Sequence, residues 1–377
     1  MSLIAVNAIT DANAGNTATI NAVTPNVNNV VGKNRIINGN MVIDQRNAGA
    51  SVTPTSGQYV IDRWQPALTQ ASKYSVQQNA GAVTPPVGFA NYLGVTSLSA
   101  YSVLSGDLFD IRHKIEGYNI ADLNWGTANA KTVTISFWVR SSLTGTFGGA
   151  IKNSASDRSY PFSYTISVAN TWEQKTITVA GDTTGTWLTT TGIGMQVGFG
   201  LGVGSTYSGT AGAWAATNYV SATGATSVVG TSGATFYITG VQLEAGSLAT
   251  AFEYRQYGTE LSLCQRYFEK SNSQGTVPGD SVDSSYQTGG SGYATNGLYT
   301  SAAYFKVTKR ASPNITIYKP TAGTVNGAWI VYSGGWVSST TSVNNITDSM
   351  FSCNLTSNIV QNTGYAIQGA WTASSEL

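Results

Sequence analysis

Hydrophobic and polar side chains alternate with a period of two residues along several segments of this chain. In residues 131–140 the apolar positions all fall on one face of a strand: Val133, Ile135, Phe137 and Val139. Trp138 and Arg140 fall on the opposite face. A period of two with one apolar face is typical of a strand whose sheet packs on a core from one side. Residues 172–179 repeat the pattern, so the sequence predicts a sheet that covers a core.

A second alternation occurs in residues 192–204, where glycine occupies every second position except that of Gln196. The positions between them are apolar and form one core face: Ile193, Met195, Val197, Phe199, Leu201 and Val203. A row of glycines in a strand usually allows a backbone, a ring or a ligand to approach closely. Either the glycine face is open to a ligand, or a neighbouring loop covers a curved strand. We favour the covered strand.

Residues 183–243 carry no charged side chain and contain short runs of β-forming residues between turn signals. This pattern is typical of a β-sandwich or a jelly roll. Further along, strands are predicted at residues 303–307 and 315–318, and a hairpin is predicted to turn at Gly334-Gly335. The predicted fold class is all-β, with a jelly-roll β-sandwich body, an N-terminal attachment arm, a short helix and a C-terminal β tip domain.

One helix is predicted between the body and the tip. Thr259 can cap its start, and Leu261, Cys264 and Phe268 then fall near helical spacing. This apolar stripe can pack on a threefold axis between subunits or against its own sandwich, and the sequence leaves both open. Cys264 and Cys353 lie far apart in the chain, which favours two free buried thiols over a disulfide.

The chain is therefore divided into four predicted segments. They are an N-terminal virion-attachment and trimerisation arm (1–33), a sandwich (34–256), a connecting helix (257–272) and a C-terminal β-rich receptor-binding tip (273–377). The arm is almost free of charge and buries too little apolar surface to fold alone. It is either a flexible tail or an arm that becomes ordered against partner subunits.

The composition narrows the possible functions. Charged residues make up only 10% of the chain and the formal net charge is +1, which argues against nucleic-acid binding. One histidine excludes a multi-histidine metal site, and the carboxylates are sparse. No apolar run is long enough to span a membrane, so no membrane insertion is expected. We expect no catalytic residues, no metal and no cofactor.

An opening motif and a closing motif, which follow each other in this order along the chain, resemble those of bacteriophage tail fibres and related virion proteins. The opening motif is NRIINGNMVIDQR (34–46) followed by YVIDRWQ (59–65), and the closing motif is FYITGVQLEAGSLATAFEYR (236–255), with LCQRYFEK (263–270) just beyond. The start, MSLIAVNAI, resembles the segment by which such fibres join the virion. Between the motifs the domain resembles carbohydrate-binding modules with a jelly-roll fold. The resemblance implies a homotrimeric fibre with a lectin-like body and a variable tip.

Sugar binding requires aromatic rings as platforms for the apolar faces of pyranoses, together with short polar side chains for the hydroxyl groups. In the tip the candidate residues are Tyr286, Tyr293, Tyr299, Trp329 and Trp336. In the body they are Trp138, Arg140, Trp187, Trp214 and Tyr219. The alternative for each ring is a place in the core or under a partner subunit. The tip group is preferred because fibres of this kind recognise the host at their distal end.

The leading hypothesis is a non-enzymatic tail fibre that adheres to surface glycans of a host bacterium. The protein would be assembled in the host cytoplasm and located in the virion. Its partners would be two further copies of itself in a homotrimer, tail or baseplate proteins bound through the arm, and host surface polysaccharide. One alternative is a purely structural virion fibre or decoration protein without sugar binding. The other is a capsular polysaccharide depolymerase, for which His113 with Asp110 would be the conceivable base and orienting residue. No nucleophile motif accompanies that pair.

A calcium site is the remaining alternative, because carbohydrate-binding jelly rolls commonly hold calcium through oxygen ligands. The candidate ligands are Asn40, Asp44, Asp62 and Glu244. Asn40 stands where such motifs have a carboxylate, so one formal charge is missing. We therefore expect Asp44 and Asp62 to pair with the nearby Arg46 and Arg63.

Overall fold

The computed structural model describes residues 32–279, 286–319 and 328–377. Almost all of the predicted arm lies outside these ranges. The strands of the body are β1 (Trp64–Leu68), β2 (Tyr74–Gln78), β3 (Leu93–Ser97), β4 (Leu108–Glu116), β5 (Val133–Ser141), β6 (Gly145–Lys152), β7 (Ser159–Ile166), β8 (Glu173–Val179), β9 (Ile193–Val203), β10 (Ser208–Gly209), β11 (Ser221–Ala222) and β12 (Thr235–Ala245). Short 3₁₀ turns occur at Ala80–Ala82, Gly117–Asn119 and Ala121–Leu123.

Ten of these strands form two antiparallel sheets that pack face to face, and β10 and β11 form a separate parallel pair. The first sheet has the order β1-β4-β9-β6-β7 and the second has the order β2-β3-β12-β5-β8. Rings from the two sheets meet in the core, as where Phe137 and Phe199 lie 5.0 Å apart between centroids. The alternating positions predicted in β5 are fully buried: Val133, Ile135, Phe137 and Val139. The predicted all-β fold with a β-sandwich body is confirmed.

The opening and closing motifs lie side by side, although about two hundred residues separate them in the sequence. The amide of Arg35 donates to the carbonyl of Leu243 at 2.9 Å, and the amide of Val241 donates to Gly39 at 2.9 Å. A side chain at Gly39 would begin 2.1 Å from the carbonyl oxygen of Val241, so only glycine fits there. The two motifs therefore form one structural unit that closes the sandwich.

The predicted helix exists but is shifted. Helix α1 spans Tyr257–Gln265, with Gln256 rather than Thr259 at the N-cap position. Phe268 was expected on its apolar stripe but lies in the next strand, β13 (Phe268–Lys270). β13 gains ladder hydrogen bonds with the last strand of the chain, and this pairing ends the helix. Cys264 is buried with Ile37 and Ile43 of its own chain, so this residue packs against its own body rather than on a threefold axis.

The C-terminal region folds around its last strand. Its strands are β14 (Tyr286–Ser291), β15 (Leu298–Tyr299), β16 (Ala303–Tyr304), β17 (Asn314–Tyr318), β18 (Ala328–Tyr332), β19 (Trp336–Asn344), β20 (Met350–Leu355) and β21 (Gly364–Ser374). β21 pairs with β13, β14, β17 and β18. A separate core lies beneath them, with Trp329, Phe351 and Ile367 fully buried. The hairpin predicted at Gly334-Gly335 is present, with Tyr332 paired to Trp336.

Charged side chains join this region, which we call the tip, to the body. Glu376 accepts from Arg46 at 2.7 Å and also pairs with the buried Arg63. On the other side of the junction, the guanidinium of Arg266 donates to both oxygens of the buried Glu116. β13 falls within the segment predicted as a connecting helix, yet it belongs to the sheet of the tip. Among the described residues, no helix is long and apolar enough to cross a membrane.

Candidate functional site

The glycine face of β9 is covered. A side chain at Gly194 would begin 2.7 Å from Gly117 and Ile120, and one at Gly200 would begin 2.8 Å from the hydroxyl of Ser221. The turn before β5 and the short strand β11 therefore lie directly on the outer face of the first sheet. The favoured interpretation, a strand covered by neighbouring segments, is confirmed.

The polar residues that remain on this outer face have partners within the protein. Arg112 contacts both carboxylate oxygens of Asp110 at 2.7–3.1 Å. Lys152 donates to the side chain of Asn218 at 2.8 Å, and Lys114 donates to the carbonyl of Leu377 at 2.7 Å. Burial lowers the pKa of both Lys114 and Lys152 to about 8. These partners occupy the polar groups internally, which leaves them little capacity for a ligand.

Two of the predicted body tryptophans form a cluster with a third. Trp187 lies 4.6 Å from Trp125 and 5.7 Å from Trp214, each pair in edge-to-face geometry. The indole nitrogen of Trp187 donates to Asp182 at 3.2 Å, and the side chain is buried. Trp187 therefore belongs to the core, and its prediction as a surface platform is wrong. Trp214 is half-buried and donates to the carbonyl of Ala180 at 2.9 Å.

The other body candidates do not converge on one place. Trp138 is half-buried on the outer face of the second sheet, beside the bulge of β12 at Gly240. Arg140 donates to the carbonyl of Asn170 at 2.9 Å, and its guanidinium lies 5.5 Å from the ring of Tyr237. The ring of Tyr219 lies on Gly209 of β10, in the space that a Cβ at this position would fill. The body therefore contains scattered, partly occupied rings rather than an assembled platform.

The single histidine has a structural environment. His113 is fully buried, its Nε2 lies 3.0 Å from the carbonyl oxygen of Ile37, and its ring meets Trp64 edge-on at 5.4 Å. Burial, reinforced by the positive charge of Arg63, lowers the pKa of His113 well below its usual value. Alternation along β4 places Asp110 on the opposite face of the sheet, paired with Arg112. The base and orienting residue of the depolymerase alternative are therefore not in contact.

Three of the four candidate calcium ligands, Asp44, Asp62 and Glu244, bind other groups of the protein, whereas the side-chain oxygen of Asn40 is buried without a hydrogen-bond partner. Asp44 accepts hydrogen bonds from the amides of Arg46, Asn47 and Gly49, and thereby holds a turn. The expected side-chain pairs are wrong, because Arg46 and Arg63 pair with Glu376, which becomes their neighbour only when the tip returns to the body.

Asp62 accepts from the amide and the side chain of Gln45, both at 2.7 Å, and burial raises its pKa to about 6. Glu244 binds the backbone and hydroxyl of Thr250 at 2.8 and 2.7 Å. Among the described residues, no group of three or more His, Cys, Asp or Glu side chains gathers to hold a metal.

In the tip, two of the predicted rings are internal. Trp329 is completely buried, and its indole nitrogen donates to the carbonyl of Ala370 at 3.2 Å. A Cβ at Gly369 would lie 2.0 Å from the Trp329 ring, so the indole rests on the backbone of β21. Its prediction as a sugar platform is wrong. Tyr286 is half-buried, 5.0 Å from Trp329 between centroids, and contributes to the same core.

The remaining tip rings are exposed and occur in pairs. Tyr293 and Tyr299 stack with centroids 5.0 Å apart and planes within 8°, and 51% and 56% of their surfaces are exposed. Trp336 is 46% exposed and lies 5.2 Å from Tyr332, which is 44% exposed. Tyr332 was not predicted, although its place across the Gly334-Gly335 turn from Trp336 was a usable signal. The exposed aromatic surface of the tip thus includes two ring pairs, and Tyr304 is a further exposed ring outside them.

Two cavities lie away from these rings. One of about 600 Å³ is lined by Asn34 and Arg35 of the opening motif and by Thr259 and Leu263 of α1, among others. Another of about 420 Å³ lies at the junction of body and tip, where Arg46 stacks over the ring of Phe268 at 3.8 Å. Neither cavity is lined by a residue predicted to bind sugar.

No protein-family model matches the chain, and no curated protein matches its sequence. Comparison with solved structures finds similarity over about half of the chain. Tailspike protein 4 of bacteriophage CBA120, in its enzymatically active domain, is 13% identical over 57% of this chain and 22% of its own, with a TM-score of 0.33. A CBM4 structure is 17% identical over 55% of this chain and 98% of its own, with a TM-score of 0.28.

A protein from Bacteroides thetaiotaomicron VPI-5482 that is described as sugar-binding is 11% identical over 56% of this chain and all of its own, with a TM-score of 0.32. The chain spans about a fifth of the tailspike domain's length, whereas it spans nearly all of the two smaller proteins.

Proposed function

We propose that this chain is a virion structural protein, a tail fibre, that adheres to surface glycans of a host bacterium without cleaving them. The observation that carries the proposal is the pairing of exposed rings on the tip. Tyr293 with Tyr299, and Trp336 with Tyr332, expose about half of each ring, although burial of large aromatic side chains is strongly favourable. Paired exposed rings are a common basis of weak, reversible binding to sugar faces.

The virion part of the proposal rests on the opening and closing motifs, which resemble those of phage tail fibres. Their backbones are hydrogen-bonded to each other through Arg35 and Leu243, as expected for two halves of one inherited unit. The arm before residue 32 would attach to tail or baseplate proteins, and three copies would form the fibre. The non-enzymatic part is consistent with a buried His113 and with carboxylates that hold internal partners.

Binding of the purified full-length chain to an array of bacterial surface polysaccharides tests the proposal. The variant Tyr293→Ala, Tyr299→Ala, Trp336→Ala should lose most of the bound signal. The control Tyr118→Ala removes a body ring that is 59% exposed and should leave the signal unchanged. If no polysaccharide and no bacterial strain binds the chain, a purely structural fibre is correct instead. Release of oligosaccharides during incubation would contradict the non-enzymatic assignment.

A further inference from the structure

The hairpin that contains Tyr332 and Trp336 is part of a row of paired residues that crosses the tip sheet. Tyr332 pairs with Trp336 on one side and with Ala366 on the other, and Ala366 pairs in turn with Gly289. Directly paired residues point to the same face of a sheet. Trp336, Tyr332, Ala366 and Gly289 therefore form one line across β19, β18, β21 and β14. We use the name lane for this line of four residues together with the parallel line of Ser338, Ile330, Gln368 and Gln287 on the same strands.

The neighbouring line has a different chemistry. Ile330 pairs with Ser338 and with Gln368, and Gln368 pairs with Gln287. These residues lie two positions along each strand from the first line, so they share its face. An amide side chain offers both donors and acceptors, as sugar hydroxyl groups require. The lane thus combines two aromatic rings with two amides and one hydroxyl.

Exposure shows that the lane faces outward. The alternate residues, Trp329, Val331 and Ile367, are fully buried on the core side of the same strands. Ala366, Gly289 and Gln287 are exposed. A Cβ at Gly289 would lie at van der Waals distance, 3.7 Å, from the carbonyl oxygen of Tyr365, so no atom crowds the surface at this position. Because Gly289 and Ala366 have little or no side chain, a flat ligand can lie close to the backbone there.

The lane is long enough for an extended chain molecule. Its first line crosses four adjacent strands, and neighbouring strands are about 4.8 Å apart, which gives roughly 14 Å from end to end. It also lies far from the body, because Ala366 is near the start of β21 whereas the Ser374 end pairs with β13 at the junction. The lane is thus placed where contact with an outside surface is least obstructed by the body.

No residue of either line is charged. An uncharged surface of rings and amides complements an uncharged polyhydroxylated ligand, whereas a uronic or sialic acid would leave its carboxylate without a cation. We propose that the lane binds a linear neutral glycan, whose pyranose rings lie on Tyr332 and Trp336 and whose hydroxyl groups bond to the exposed Gln287. This inference rests on the proposed adhesive function and names its site and ligand class.

The test measures binding of the full-length chain to neutral polysaccharides (glucans, galactans and mannans) and to matched polymers that contain uronic acids. Tyr332→Ala and Trp336→Ala should each weaken binding to the neutral ligand at least tenfold. Ala366→Arg should do the same by blocking the middle of the lane, and it keeps both rings if either ring variant fails to fold. Tyr304→Ala removes a ring of the tip that is 73% exposed and should change binding less than twofold.

The outcomes separate the lane from the wider proposal. If glycan binding persists in all lane variants but is lost in Tyr293→Ala, Tyr299→Ala, the lane is wrong and the adhesive function stands. Exclusive binding of the acidic polymers would also overturn the lane. If Ala366→Arg instead alters the oligomeric state, the face is covered by a second copy, and the inference fails. Absence of all glycan binding in the unmodified chain rejects the proposed function itself.

Discussion

Lys309 is fully buried at the base of the tip and is surrounded by acceptors. Its Nζ lies 2.6 Å from the carboxylate of Glu269 and also donates to the carbonyls of Gln265 and Val307 at 2.7 and 2.9 Å. Glu269 is equally buried and accepts from the amide of Lys306. Removing one member of such a pair leaves an uncompensated charge away from water, which is far more costly than losing an exposed pair.

We therefore expect Lys309→Met to lower the free energy of unfolding by about 3–5 kcal/mol. Urea unfolding of the purified protein measures this value. Adding Glu269→Gln to that variant should recover part of the loss, because no unpaired charge then remains while the amide of Lys306 keeps an acceptor. The control Asp122→Asn removes the carboxylate that pairs with Arg35. Because this carboxylate is 48% exposed, the substitution should lower the free energy of unfolding by less than about 1 kcal/mol. Equal losses in Lys309→Met and the control would contradict the argument.

The tryptophans show what a residue pattern can and cannot predict. Alternation identifies which residues share a face, but it does not say which face is buried until the partner strands are known. Trp329 and Trp336 lie on the two strands of one hairpin, and the register places them on opposite faces. Trp329 lies on Gly369, forty residues later in the sequence, and this contact was not predictable from the hairpin alone. The same limit applies to Trp187, which is buried by Trp125 and Trp214.

Within β9, two glycines on the same face have different surroundings. A Cβ at Gly194 would meet Gly117 and Ile120 at 2.7 Å, whereas one at Gly198 would lie 3.2 Å from the nearest atom, a carboxylate oxygen of Asp110. Gly194→Ala should therefore destabilise the protein by about 1–3 kcal/mol through overpacking. Gly198→Ala should change the free energy of unfolding by less than about 1 kcal/mol. Alanine lowers the conformational entropy of the unfolded chain, and this stabilising effect partly offsets the tight contact with Asp110. Thermal or urea unfolding of both variants decides the matter, and equal effects would refute the covered-face account.

β4 and β6 carry Lys114 and Lys152, whose pKa values burial lowers from 10.5 to about 8. Between pH 8 and 10.5 the unfolded chain binds more protons than the folded chain at these positions, so their contribution to stability rises with pH. Lys152→Met removes one of the two groups. The gain in unfolding midpoint between pH 7.5 and 9.5 should be smaller in this variant than in the unmodified protein.

Lys131→Met is the matched control for the pH experiment, since Lys131 is exposed at the start of the segment that leads into β5. It should leave the pH dependence of the unfolding midpoint unchanged. A Lys152→Met protein with the full alkaline gain would show that burial of this amine has no energetic effect.

At the level of elements, the sequence was informative where the contacts are local. The strands at Lys131–Arg140 and Gly192–Gly204 and the Gly334-Gly335 hairpin were predictable from alternation and turn chemistry alone. The end of α1 was not, because helical spacing continues through Phe268 and only the distant β21 draws that residue into a strand. The pair at the hairpin was predictable from the sequence, because the Gly334-Gly335 turn places Tyr332 opposite Trp336.

For the whole molecule, we predict that the purified chain sediments as a homotrimer. The reasons are the low charge, 10% of residues over the whole sequence, and the resemblance to fibre proteins. Sedimentation velocity at micromolar concentration checks the prediction. A single species with the mass of one 39.4 kDa chain would contradict it. The lane variants should keep the same sedimentation coefficient, since their substitutions lie on an exposed face at the far end of the tip.

The central place of β21 in the tip also determines the order in which the chain can fold during synthesis. The sandwich is complete in sequence once β12 has left the ribosome, so its core can close while the rest is still being made. The tip must wait, because β13, β14, β17 and β18 all need β21 as their partner. Until residues 364–374 have left the ribosome, the backbone groups of these strands that pair with β21 have no partner strand. Assembly of the tip, and with it any recognition surface there, therefore follows closure of the sandwich in each chain.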